Sequence, residues 1–279
     1  MISASATFHG QLTLGATRRA DGRTVLSEQA FRAPFHLGKP YWDADTGTLL
    51  VQVVNPTAGI LSGDQLSSSV RVDSGAAMLL TTPSASRVFC MREGRAVSRQ
   101  EFTVGADAWL EVLPEPLVPH RGSVFHQTTV LDVATGGSAL YADLLYPGRI
   151  AHGDAWEWTR LTLQLEVRAG GALVLRERFD QTSQELLALA RMAGFGETVM
   201  FGNAVFIPAA PDDGAGWRDA LHALQTDGVW IGASQLHGGA GWSIKFIAPD
   251  GIRLRRTLAA IRSTLAPVAP HLRCDARKL

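Results

Sequence analysis

Cysteine is nearly absent from this 279-residue chain: only Cys90 and Cys274 occur, far apart in sequence. Two such residues exclude a disulfide framework and a four-cysteine zinc site, and they suit a reducing compartment. Net charge is missing too. The 26 basic and 26 acidic side chains cancel to a formal +0, with no charged tail and no basic patch of the kind nucleic-acid binding draws on. No run of 18 apolar residues exists, so no membrane-spanning helix is expected. The opening Met1-Ile2-Ser3-Ala4-Ser5-Ala6 lacks the basic start and long apolar core of a signal peptide, and a cytoplasmic location is expected. Several catalytic signatures are lacking as well. There is no Gly-x-x-x-x-Gly-Lys-Ser/Thr phosphate cradle and no Gly-x-Ser-x-Gly nucleophile elbow. None of the eight histidines has the His-x-x-x-His spacing that sets two imidazoles on one helix face.

What is present is a globular composition, 46% hydrophobic and 19% charged, able to bury a sizeable core. The chain is organised around Leu49–Leu80, where two alternating apolar runs flank Asn55-Pro56-Thr57-Ala58-Gly59-Ile60-Leu61-Ser62-Gly63-Asp64. Alternation on both sides predicts strand, loop, strand. A spacing then recurs. Glycines at 75, 105, 136 and 170, at intervals of 30, 31 and 34, each close one apolar strand and precede another. Such a period predicts strand, tight turn and strand, stacked so that successive units share a core.

Helical patterns come late. Gln181–Ala193 has Thr182 or Ser183 as a possible N-cap and Gly194 beyond its end. Trp217–Gln225 spaces Trp217, Leu221 and Leu224 by three and four residues, and Arg253–Leu265 carries Leu258 and Ile261 before Pro267 and Pro270. A β segment over Val229–Ile247 is interrupted by Gly238-Gly239-Ala240-Gly241, and Pro208–Gly216 is the best internal boundary. The expected fold is mainly β: a stacked β-helix-like or sandwich-like body with a few α-helices, mostly C-terminal. It is expected to form one domain over 1–279, β-rich over 1–180 and mixed over 181–279.

Carboxylates are the most suggestive chemistry. Asp64, Glu111, Glu115, Asp143, Asp154 and Glu177 sit on or beside segments that otherwise read as apolar strands. Converging pairs could do acid–base chemistry, as in sugar hydrolysis, while salt bridges to Arg87, Arg149 or Arg176 are the structural alternative. Asp64 has its own alternative, a turn aspartate bonding its backbone. His120 and His126, near the Pro114–His126 connection, read as solvated loop histidines sooner than as metal contacts.

In order along the chain come Phe8-His9-Gly10-Gln11-Leu12 with Gly15-Ala16-Thr17-Arg18, Gly59-Ile60-Leu61-Ser62-Gly63-Asp64, Leu80-Thr81-Thr82-Pro83-Ser84-Ala85-Ser86-Arg87-Val88-Phe89, Leu110-Glu111-Val112-Leu113-Pro114-Glu115-Pro116, and Gly148-Arg149-Ile150-Ala151-His152-Gly153-Asp154. Through these segments the sequence resembles the urease accessory protein UreD family, called UreH in some organisms. Ser62 stands where that family commonly has a second glycine, and Cys90 where it usually has arginine.

The resemblance implies a β-rich maturation scaffold and not a catalyst. Such proteins sit on the urease apoprotein and recruit a UreF-like protein, which engages a UreG-like GTPase that carries nickel. It implies no tightly bound cofactor, with Ni²⁺ in transit, and no nucleic-acid or membrane partner. A metal path through the protein would have Asp64, Glu115 and Asp143 as stations. A partner could dock on the late helices through Trp217, Leu221, Leu224, Leu258 and Ile261, unless those residues pack on the β body. The residues by themselves leave a second class open, a β enzyme or ligand-binding module using paired carboxylates.

Overall fold

The computed structural model describes residues 8–226 and 228–276, so the opening hexapeptide lies outside the described residues. The chain begins with strands β1 (His9–Arg18) and β2 (Thr24–Arg32), then β3 (His36–Leu37), β4 (Tyr41–Asp43) and β5 (Thr48–Val54). The body follows as β6 (Gln65–Val72), β7 (Ala77–Thr81), β8 (Ser86–Val88), β9 (Ala96–Val104), β10 (Trp109–Leu113), β11 (Leu117–Pro119), β12 (Val124–Val133), β13 (Ser138–Leu145), β14 (Arg160–Ala169) and β15 (Ala172–Gln181). Helix α1 (Ser183–Met192), β16 (Met200–Ile207), α2 (Arg218–His222), β17 (Trp230–Gln235), β18 (Trp242–Ala248) and α3 (Gly251–Leu265) complete it. Among the described residues no helix is long and apolar enough to cross a membrane.

The strands make two sheets. The first runs β15-β14-β12-β9-β6-β1-β2 and the second β17-β18-β16-β13-β10-β7-β5-β3. In the body the chain passes back and forth between the sheets, so β6, β9, β12 and β14 pair in parallel, as do β5, β7, β10 and β13, while the short β8 and β11 stay with the second sheet and pair in parallel with each other. This is the expected stacking, each coil laying one long strand in either sheet. The recurring glycines explain how closely the coils can lie. Gly105 N–H donates to Val72 O (2.8 Å) and Gly75 N–H to Ala106 O (3.0 Å), so each turn rests on its neighbour. A Cβ on Gly137 would come within 2.5 Å of Gly105 O, and one on Gly105 within 2.7 Å of Ser74 N.

The fourth turn differs from the expectation. Gly170 (φ 57°) and Gly171 (φ 82°) reverse β14 directly into antiparallel β15 within the same sheet, with Ala169 opposite Ala172. Two consecutive left-handed residues make a two-residue hairpin, whose twist suits adjacent strands and not a crossover. The coil therefore ends there.

Strand alternation sets the core. Inward residues of the first sheet (Leu14, Val70, Phe102, Leu131, Val167) meet Val51, Met78, Leu110 and Val205 of the second. The second sheet is buried on both faces. Its outer face carries Trp109, Leu140, Phe206 and Ile244, covered by α2, α3 and the segment after them. The five residues considered for docking belong here: Trp217, Leu221, Leu258 and Ile261 are buried in this cluster, and Leu224 packs against it. Their apolar stripes face the sheet because that is where water can be excluded, so these residues serve the core. Strands β16–β18 extend the second sheet past the Pro208–Gly216 loop. That loop is itself tied in, since Trp217 Nε1 donates to Asp212 Oδ2 (2.8 Å) and Trp242 Nε1 to Asp212 O (3.0 Å).

Helix α1 begins as its sequence requires. Thr182 Oγ1 accepts from Glu185 N–H (3.3 Å) while the Glu185 carboxylate accepts from Thr182 N–H (2.7 Å), a reciprocal cap. Leu186, Leu187 and Ala190 then cover one end of the coil beside Phe125, Trp158 and Leu161.

Stacked turns give a direct test of the coil. Gly137→Ala is expected to destabilise by about 1–3 kcal/mol, because backbone and not a flexible side chain meets the new methyl. Gly216→Ala, with open space at its Cβ position, should stay within about 0.5 kcal/mol of the parent. Urea midpoints of the two variants check this.

Candidate functional site

Toward one end of the coil the two sheets separate around a cavity of about 510 Å³. Its chemistry follows from register. Along β6, β9 and β12 of the first sheet, inward positions are apolar near the stacked turns and then become polar. Ser98 lies beside Gln127, and Gln100 lies beside both Ser68 and Thr129. Ser68, Ser98, Gln100 and Gln127 line the cavity, and Thr129 Oγ1 donates to Gln100 Oε1 (3.1 Å) at its edge. From the second sheet come Asp143, Asn203 and Lys245, aligned on β13, β16 and β18. Glu177 on β15 faces them from the first sheet.

Charge in this cavity is paired across the sheets. Lys245 forms an ion pair with Glu177 and donates to Asn203 Oδ1 (2.9 Å). Tyr141 O–H donates to Asp143 Oδ2 at 2.6 Å. Desolvation between the sheets raises the Asp143 carboxyl to about 7, with nearby Glu177 adding to the rise. The Tyr141 hydrogen bond and the Lys245 charge pull the other way. Burial, and the carboxylate next to it, likewise push the Tyr141 phenol well above its ordinary range.

A pH dependence follows. A folded-state carboxyl raised above its unfolded value contributes stability that is present below the unfolded pKa and lost as pH rises through the folded one. Asp143→Asn is therefore expected to gain stability relative to the parent as pH increases from about 4 to about 7, with little further change above. Paired melting curves across that range measure it.

The structure distributes the other sequence candidates as follows. Glu115 lines the cavity rim. Its N–H donates to Thr82 Oγ1 (2.8 Å) and its Oε2 meets Arg255 Nη2 of α3 at 3.0 Å. Asp64 is not among the cavity's lining residues. Its carboxylate accepts from Leu61 N–H (2.8 Å) and Phe8 N–H (3.0 Å), which is the turn-holding alternative. Glu111 lies on the opposite face of the second sheet, fully buried against Arg262. Asp154 is held by Arg149, whose backbone N–H and guanidinium both donate to it. His120 is not a solvated loop residue: it is buried, its ring 4.7 Å from that of Phe89. His126 lies in β12, its Nε2 3.3 Å from Thr128 Oγ1.

Sequence reading passed over Lys245, Asn203, Ser98, Gln100 and Gln127. A signal for the last three existed, since amide and hydroxyl side chains occupy inward positions of otherwise alternating strands. Among the described residues no three His, Cys, Asp or Glu side chains gather to hold a metal ion. The cavity offers scattered oxygen donors instead, which suit hard or borderline cations held briefly.

Comparison with known proteins completes the picture. The family model described as UreD urease accessory protein matches residues 9–277. The chain is 57% identical over 272 residues to the urease accessory protein UreD of Opitutus terrae, covering 98% of this chain and 99% of that protein. It is 30% identical to the UreD of Haloarcula marismortui, over 90% of this chain and 84% of that one. A UreD from Yersinia enterocolitica is 29% identical over 92% and 82%. The match spans the coil, both sheets and the C-terminal helices alike, and on that basis the chain belongs to the UreD family of urease accessory proteins.

Proposed function

We propose that the chain is a non-catalytic scaffold of urease maturation in the cytoplasm. It binds the urease apoprotein, recruits a UreF-like protein and through it a UreG-like GTPase, and lets Ni²⁺ pass through the cavity between its sheets. The observation that carries the scaffold reading is the family match over nearly the whole chain. The route reading is supported by the cavity's oxygen donors. Glu177 and Glu115, with Asp143 once it ionises, supply carboxylate oxygens while amides and hydroxyls complete a cation's shell without a cage to retain it. Asp64 serves the loop in this reading and is not a station. The four buried residues Trp217, Leu221, Leu258 and Ile261, with Leu224 packed against them, likewise leave partner contact to other surfaces in this reading.

Co-expression with urease and its other accessory proteins, followed by affinity capture through a tag on this chain, tests the scaffold. Urease subunits and the UreF-like protein should co-purify, and the GTPase only when the UreF-like protein is present. Capture of none of them would remove the reading.

A further inference from the structure

The cavity carries its own cation. Lys245 Nζ is paired with Glu177 and stands 2.9 Å from Asn203 Oδ1, and Asp143 lies two strands along the same row. Glu177 sits on β15, an edge of the first sheet, and Lys245 on β18 beside the edge strand of the second, so the pair bridges the sheets. Two details set it apart from an ordinary surface bridge. Glu177 Oε2 is buried with no hydrogen-bond partner among the described residues, so the carboxylate has lone pairs the ammonium leaves unused. The Lys245 side chain is also half exposed, and its four-carbon stem lets the charged head leave for water at little cost in packing.

We propose that Lys245 is a built-in counter-ion that occupies the Glu177–Asn203 end of the row continued by Asp143, in place of a divalent cation, and yields to one by exchange. The proposal deepens the reading of this cavity as a nickel route and rests on it. A vacant cluster of carboxylates between two sheets would be costly, because charge out of water needs a partner. A permanent metal site would hold its ion and deliver nothing. An ammonium on a flexible stem avoids both outcomes. It compensates Glu177 when no ion is present, and it competes with an ion that arrives, which speeds departure. Arg255 stands in the same relation to Glu115 at the rim, so cations from the one stretch Trp242–Leu265 cover both carboxylates.

Equilibrium dialysis of the full-length chain against Ni²⁺ tests the proposal. Lys245→Met is expected to bind Ni²⁺ roughly tenfold tighter than the parent, since a like charge at contact distance has been removed. Lys245→Arg keeps the charge and should bind as the parent does. Adding Glu177→Gln to Lys245→Met should abolish the gain. If Lys245→Met lowers stability, Ni²⁺ should raise its melting temperature more than it raises that of the parent, a readout that depends on binding alone. Affinity for Ni²⁺ unchanged in Lys245→Met, or a gain that survives Glu177→Gln, overturns the proposal. These results are independent of urease activation. A failed route would leave activation normal when Asp143 and Glu177 are both neutralised, whereas a failed counter-ion role would leave Lys245→Met without its gain.

Discussion

Replacing Arg262 with methionine is expected to destabilise the protein by about 3–5 kcal/mol, the cost of leaving a buried carboxylate without its partner. Glu111 is fully buried in β10, at the centre of the second sheet, under the C-terminal helix. Arg262 of α3 meets it with two donors, Nε to Oε1 at 2.5 Å and Nη2 to Oε2 at 3.0 Å. The same Nη2 reaches Cys274 O at 3.0 Å, which ties down the segment that follows the helix. Even with this partner, burial outweighs the guanidinium and holds the Glu111 carboxyl above its ordinary value. Without Arg262 it should rise further. A raised folded-state carboxyl loses its stabilising contribution as pH increases, so the Arg262→Met variant should recover part of its stability in acid. Adding Glu111→Met removes the stranded charge and should restore most of the loss, because apolar replacements of buried pairs are often neutral or better. A single-variant cost below about 1 kcal/mol, or no rescue in the double variant, would show the pair to be dispensable.

The second large effect concerns delivery. Asp143→Asn combined with Glu177→Gln nearly conserves volume, so the sheets should pack as before and the complex with urease should form. The two neutral amides remove the cavity's strongest attraction for a divalent ion. Urease matured with this variant is expected to show activity at least tenfold below that matured with the parent chain. Asp64→Asn, by contrast, should act through the loop. Its carboxylate holds Leu61 and Phe8 by their N–H groups, so the expected change is in stability and complex yield, with activation per complex unaltered. Comparing activity per captured complex separates the two.

Local signals were legible in the sequence and distant pairings were not. Thr182 and Ser183 announced the start of α1, and Thr182 is the cap because Glu185, three residues away, completes it. The glycines near 75, 105 and 136 announced the stacked coil because each coil repeats the same turn. At Gly170-Gly171 the same pattern ended in a hairpin, a difference that depends on two consecutive positive φ angles. Apolar stripes on the late helices were equally plain, yet a stripe cannot say whether it meets a sheet of its own chain or another protein. Trp217, Leu221, Leu258 and Ile261 meet the second sheet. The cavity was least legible. Glu177 and Lys245 are 68 residues apart and meet only because two sheets face one another in a particular register. Asp143 was singled out as a carboxylate among apolar neighbours, but its partner Asn203 depends on the β13–β16 alignment.

The most direct measurement is the nickel content of urease purified from cells that carry the parent chain, no copy of it, or the Asp143→Asn, Glu177→Gln variant. The account predicts folded urease with a full complement of nickel in the first case. In the second and third it predicts folded, nickel-poor and weakly active urease, the third still yielding the captured complex. Fully nickel-loaded, active urease in cells lacking the chain would contradict it.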